Sequence, residues 1–100
     1  MGRARISWTR EAKHWIQEIR EYIAQDNPSA AKRTARGILE RAQALADHPE
    51  LGYQYKTRTG REVRLLLYGH YRIAYLIKAS GDIDILGVFH GSLDLDRHLP

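Results

Sequence analysis

Apolar residues recur every three or four positions along Ala12, Trp15, Ile16, Ile19, Tyr22 and Ile23. They recur again along Ala31, Ala35, Ile38, Leu39, Ala42 and Leu45, with one break between the runs at Asp26-Asn27-Pro28. Each run is an amphipathic helix with a single apolar stripe. Thr9 stands where the first helix needs a side-chain cap, and Arg10-Glu11 opens the pattern. Asn27 caps the second helix, and Pro28 fits its first position, where a missing N–H costs nothing. This helix runs to about Ala46 and ends at Asp47-His48-Pro49. So short a link makes the pair an antiparallel helical hairpin, and its small alanines permit close approach. A hairpin with one apolar face needs a second layer to cover it.

Strands supply that layer. Arg3 to Trp8 alternates, with Ile6 and Trp8 on one face. Glu62 to Leu67, Tyr71 to Lys78 and Ile83 to Phe89 follow the helices, joined by Tyr68-Gly69 and Ser80-Gly81-Asp82. Short turns between three strands predict an antiparallel meander. The tail from Gly91 to Leu99 predicts one or two helical turns capped by Ser92, with Asp94 near the positive end. The order is β-α-α-β-β-β, an α+β fold: a helical hairpin on an antiparallel sheet, with a short C-terminal helix. A chain of 100 residues fits one domain spanning 1–100. Glu50 to Gly60 shows no periodicity and reads as a polar loop. Loops of this length inside small domains are often functional. Leu65, Leu66 and Leu67 place apolar side chains on both faces of one strand. One face packs on the helices. The other is a partner's docking surface, with Leu66 as its candidate, or a second small core beneath the 50–60 loop.

Composition narrows the chemistry. There is no cysteine, so disulfides, thiolate metal sites and a cysteine nucleophile are excluded. No apolar run approaches the ~20 residues of a membrane helix, and no signal-peptide pattern opens the chain. A soluble, cytoplasmic protein with no membrane partner is expected. His14, His48, His70, His90 and His98 show no metal-ligand spacing, and no acidic cluster completes a site. Asp82, Asp84, Asp94 and Asp96 read as solvated acids. Neither a metal nor a cofactor is expected.

Net charge is +4, from sixteen basic and twelve acidic residues. Residues 11–47 balance six against six; the excess lies in Arg3, Arg5 and Arg10 and in Lys56, Arg58, Arg61, Arg64 and Arg72. Twelve of the sixteen basic residues are arginine, whose planar fork grips phosphate or carboxylate with two hydrogen bonds. An anionic partner, RNA or an acidic protein, suits this pattern. Tyr53 and Tyr55 are stacking platforms, a protein-binding surface or a cover for the core edge. His90 ends the last strand, as a proton-transfer group near neutral pH or as a structural partner of the turning backbone.

The chain resembles the RelE/ParE superfamily of toxins from bacterial type II toxin–antitoxin systems, and within it the ParE branch. The resemblance rests on Trp8-Thr9-x-x-Ala12, Asn27-Pro28-x-Ala30-Ala31, His48-Pro49-Glu50-Leu51-Gly52, Arg61-Glu62-Val63-Arg64 and Tyr71-Arg72-Ile73-x-Tyr75. It closes with Ile85-Leu86-x-Val88-Phe89-His90-Gly91 and Asp94-Leu95-Asp96. It implies a growth-inhibiting toxin neutralised by a cognate antitoxin, an acidic and partly disordered protein. Operator DNA would be bound only through that antitoxin. On the ParE pattern the target is DNA gyrase and the toxin is no enzyme. On the RelE pattern it is a ribosome-dependent mRNA endoribonuclease. For a ribonuclease the candidate catalysts are Arg64, Arg72, His90 and Lys56. No tyrosine follows Tyr75, and the His90-Gly91 ending with its Asp-Leu-Asp tail favours ParE. Candidate contacts for antitoxin or target are Arg58, Arg61, Tyr53, Tyr55 and Leu66.

Overall fold

The computed structural model describes residues 3–60, 62–91 and 93–99. Strand β1 (Ile6–Trp8) leads into α1 (Arg10–Ala24) and α2 (Pro28–Gln43), and a 3-10 turn at Ala44–Ala46 follows. Four strands come next: β2 (Tyr53–Lys56), β3 (Glu62–Tyr68), β4 (Tyr71–Ile77) and β5 (Ile83–His90). A 3-10 turn at Leu95–Arg97 lies in the C-terminal segment.

Both predicted caps form. Thr9 Oγ1 accepts from the Ala12 N–H at 3.1 Å and donates to the Ile85 carbonyl at 2.8 Å, so it starts α1 and ties it to β5. Asn27 Oδ1 accepts from the Ala30 N–H at 3.0 Å, with Pro28 as the first residue of α2. The α-helix ends at Gln43, three residues before the expected Ala46, because the last turn tightens to 3-10.

The α+β layout is as expected, with two differences in the sheet. Its order is β1-β5-β4-β3-β2, and β1 runs parallel to β5, so the sheet is mixed. The segment read as a loop contributes β2, paired antiparallel with β3 from Tyr53↔Leu65 to Lys56↔Glu62. Residues 57–60 then form its turn, with the Gly60 N–H donating to the Thr57 carbonyl at 2.8 Å and Gly60 at φ +87°. That positive φ suits glycine, which has no Cβ to clash.

Both faces of the sheet are covered. The helix face carries Leu66, Ile73, Tyr75, Ile83, Ile85 and Val88 against Ala12, Ile38, Ala42 and Leu45. The opposite face carries Val63, Leu65, Ala74 and Phe89, sealed by Leu95 and Leu99 of the C-terminal segment. The leucine trio therefore divides three ways. Leu66 is buried under the helices, Leu65 is buried under the C-terminal segment, and Leu67 is 53% exposed. Leu66 is thus core and not a docking residue. The second face is a small core, covered by the C-terminal segment together with Tyr55 of the 50–60 stretch.

Burying Leu95 and Leu99 contributes roughly 1.5–3 kcal/mol each as an upper bound, one part of what holds residues 93–99 against the sheet. The tail's turn is capped by Asp94, whose Oδ1 accepts from the Asp96 N–H at 3.2 Å. The cap expected from Ser92 lies outside the described residues.

Candidate functional site

Arg64 lies on the helix face of β3, directly across from Tyr75 of β4. Its Nη1 donates to the Gly52 carbonyl at 2.7 Å and to the Glu50 carbonyl at 3.2 Å. The Tyr75 hydroxyl donates to the Pro49 carbonyl at 2.7 Å and accepts from the Gly52 N–H at 2.9 Å. Together these two side chains fasten the turn between the helices and β2. The fit is close: a Cβ on Gly52 would lie 2.8 Å from the Leu65 carbonyl oxygen and from the Tyr75 ring. Burial pushes the Tyr75 phenol above the usual tyrosine range, partly offset by the Gly52 N–H and the Arg64 charge.

A raised phenol pKa favours the neutral form in the folded state. The contribution is therefore complete below pH ~10, the unfolded tyrosine value, and fades as pH climbs through the higher folded value. Tyr75→Phe would strand a buried donor and a buried acceptor, a loss of about 1–3 kcal/mol. Urea melts from pH 8 to 11.5 should show a shallower alkaline decline for the variant than for the wild-type chain.

Arg72 lies on the opposite face, across from Leu67 and Phe89. Its Nη2 donates to the Gly91 carbonyl at 3.0 Å and to the Leu93 carbonyl at 3.1 Å, while its buried Nε has no hydrogen-bond partner. Tyr55, on the same face through its pairing with Val63, donates to Asp96 Oδ1 at 3.0 Å. That bond, then burial, raises the Tyr55 phenol above its usual range. His98 stacks on Phe89 with ring centres 5.8 Å apart and meets the edge of Trp15 at 5.0 Å. Arg72, Tyr55 and this aromatic group strap the C-terminal segment to the sheet.

The remaining candidates sit elsewhere. His90 ends β5 opposite Tyr71, stacked on His70 at 6.3 Å and edge-on to Tyr71 at 5.8 Å. Lys56 and Arg58 are exposed on the β2–β3 hairpin, and Tyr53 beside them is 47% exposed. Arg61 lies outside the described residues.

The four candidate catalysts do not converge. Arg72 faces away from Arg64. His90 shares the helix side of the sheet with Arg64, but it pairs at Tyr71, four residues from Tyr75. At about 3.3 Å per strand residue, that is a separation of roughly 13 Å along the strand alone. Arg64 is moreover engaged with the Glu50 and Gly52 carbonyls. Sequence reasoning named Arg64 and Arg72 but missed what they hold. Tyr75 also went unremarked as a hydrogen-bonding residue. Its place on a core-facing alternation was the available signal, because a buried tyrosine hydroxyl normally finds a partner.

Comparison with known proteins places this geometry. A family model described as the ParE toxin of the type II toxin–antitoxin system parDE matches residues 6–95. The chain belongs to the ParE toxin family. This ParE-family toxin is 39% identical to Y4kP of Sinorhizobium fredii over 92 residues, covering 90% of this chain and 91% of that protein. It is 36% identical to toxin RelE2 of Caulobacter vibrioides over 89 residues, covering 89% and 97%.

Among solved structures, the chain of a chromosomal ParDE system from P. aeruginosa superposes with a TM-score of 0.72 at 21% identity. That match covers 87% of this chain and 95% of that one. A chain of the RelBE2 toxin–antitoxin complex from Mycobacterium tuberculosis gives 0.67 at 20%, covering 88% and 98%. These likenesses fit the two-helix, five-strand layout described above. In this ParE-family toxin no helix among the described residues is long and apolar enough to cross a membrane.

Proposed function

We propose that this chain arrests growth without catalysis, by binding DNA gyrase in the cytoplasm, and that a cognate antitoxin neutralises it. Operator DNA is then met only through the antitoxin. One observation carries the non-catalytic reading: the arginines an RNA-cutting site would need lie on opposite faces, and both hold backbone carbonyls. Cleavage at a phosphate needs cations and a proton-transfer group aimed at the same few atoms. The spread of Arg64, Arg72, His90 and Lys56 supports a binding protein instead. The net charge of +4 suits an acidic, partly disordered antitoxin that folds as it binds.

The test uses purified chain, treated to remove RNA, in a gyrase supercoiling assay. Inhibition at stoichiometric toxin, reversed by antitoxin, is the expected result. Primer extension on a defined mRNA, from cells just induced for this chain alone, should show growth arrest with intact message. New 5′ ends at codon-phased positions would overturn the reading and return Arg64, Arg72 and His90 to catalytic roles.

A further inference from the structure

The even balance of charge over residues 11–47 is unevenly divided between the two helices. Helix α1 carries Arg10, Lys13 and Arg20 against Glu11, Glu18 and Glu21. Helix α2 carries Lys32, Arg33, Arg36 and Arg41 against Glu40 alone. Successive helix residues are turned by about 100°. Ser29, Lys32, Arg33 and Arg36 therefore share one arc, turned away from the buried Ala31, Ile38 and Ala42. All four are exposed. Lys32 and Arg36 are four residues apart and Arg33 and Arg36 are three, so like charges stand side by side and weaken the helix. The flanking acids are Asp26, before the helix, and Glu40, one turn past Arg36. Among the described residues none of the three cations enters an ion pair. By contrast, Arg41, Arg64 and Arg72 hold backbone carbonyls.

What this face can bind follows from what it lacks. A stable protein interface centres on buried apolar or aromatic anchors. The arc from Ser29 to Arg36 has none, and the exposed Leu39 lies past it, in a groove with Ile16 and Ala35. Single-stranded nucleic acid is held by stacking on aromatic side chains, and α2 has no aromatic residue. The backbone of a duplex needs only cations. We propose that the outward face of α2 binds the phosphate backbone of double-stranded DNA through Lys32, Arg33 and Arg36. The choice of DNA rests on the gyrase reading above, because duplex DNA is what gyrase works on. The inference adds that the toxin touches this DNA as well as the enzyme. Phosphate contacts carry no sequence information, so recognition of an operator still falls to the antitoxin.

The test follows the anisotropy of a labelled duplex of mixed sequence, without an operator, as the full chain is added in the absence of antitoxin. Three phosphate contacts give a slope of about −2.7 for log affinity against log salt, or about a fortyfold loss between roughly 50 and 200 mM salt. The variant Lys32→Gln with Arg33→Gln and Arg36→Gln should flatten that slope and bind at least about tenfold more weakly at the lower salt. Glutamine is a good helix former and relieves the repulsion, so this variant should melt no lower than the wild-type chain. Arg33→Lys with Arg36→Lys keeps the charge and should keep the affinity. A comparison variant, Arg10→Gln with Lys13→Gln and Arg20→Gln, removes the same charge from exposed positions of α1 and should keep the wild-type slope.

Equal losses in the two glutamine variants would trace the binding to net charge and overturn the assignment to α2. Tighter binding of a single strand, or of an acidic peptide, than of the duplex would overturn it as well. A supercoiling assay separates this inference from the reading beneath it. If the wild-type chain inhibits gyrase yet shows no salt-dependent affinity for duplex DNA, the inference fails and the gyrase reading stands. If the chain leaves supercoiling unaffected and binds the duplex with the expected slope, the gyrase reading fails and the α2 face stands as a duplex-backbone site.

Discussion

Truncating Phe89 to alanine is expected to lower stability by about 3–5 kcal/mol, a large part of the ~5–15 kcal/mol that holds a domain of this kind together. Phe89 is 1% exposed and sits under the C-terminal segment, with the Trp15 ring 4.8 Å away in an edge arrangement and His98 stacked above it. Its own ring lies over Gly87, where an added Cβ would come within 2.4 Å of it. Removing the ring leaves a void that Val63, Leu65 and Ala74 cannot close, because a paired sheet fixes their backbones. The measurement is a urea melt of Phe89→Ala beside Leu67→Ala. Leu67 is half exposed, so its variant should shift by less than about 0.5 kcal/mol. Similar losses in the two would mean the second face is not a core.

Arg72→Ala is the second large effect, and it separates structure from catalysis. The substitution removes both donors to the Gly91 and Leu93 carbonyls. Hydrogen bonds from a charged group are worth about 1.5–3 kcal/mol, so the loss should be of that order. Amide exchange at residues 93–99 should quicken well beyond exchange in α1. If the toxin acts by binding, folded Arg72→Ala protein at low temperature still inhibits supercoiling and still leaves mRNA intact. A variant with wild-type stability and exchange that has lost its toxicity would instead place Arg72 at the target.

Much of the framework was legible in the residues, for identifiable reasons. Thr9 and Asn27-Pro28 are local signals, and caps act within three residues of themselves, so the helical hairpin could be read without tertiary information. The meander was legible because β4 and β5 bury apolar residues. Strand β2 was not legible, because Tyr53, Gln54 and Lys56 are all exposed and Tyr55 only partly buried. Its pairing with β3 holds it in place, and pairing leaves no trace in the strand's own pattern. The parallel run of β1 beside β5 was hidden for the same reason: only 3 residues commit to it. The leucine trio showed that both faces of β3 are apolar. It did not show what covers the second face, because the covering residues Leu95 and Leu99 lie some thirty positions downstream.

The candidate site was legible as a set of residue types and not as a place. Arginine side chains are long, and the same guanidinium that binds phosphate satisfies a backbone carbonyl equally well. Spacing along a strand tells which face each occupies, and that parity already separates Arg64 from Arg72 once the register of β3 and β4 is known. Tyr22 continues the apolar period of α1 yet is 74% exposed, so the stripe alone does not tell which of its residues are covered.

One irregularity in β5 bears on how the strand can change. Opposite Ala74 and Tyr75 of β4 stand Gly87 and Ile85, so Leu86 has no partner and forms a bulge. Ile85 and Val88 therefore face the helices together, although odd and even positions should alternate. Leu86 is an additional residue whose side chain packs toward the strap. Its deletion would leave every other side chain of β5 on its present face and straighten the ladder. Deletion of a residue away from Leu86 and Gly87, which both lie on the second face, would turn part of the strand's side chains to the wrong side. The 86–87 step is thus the place where this strand can lose a residue and keep its sense.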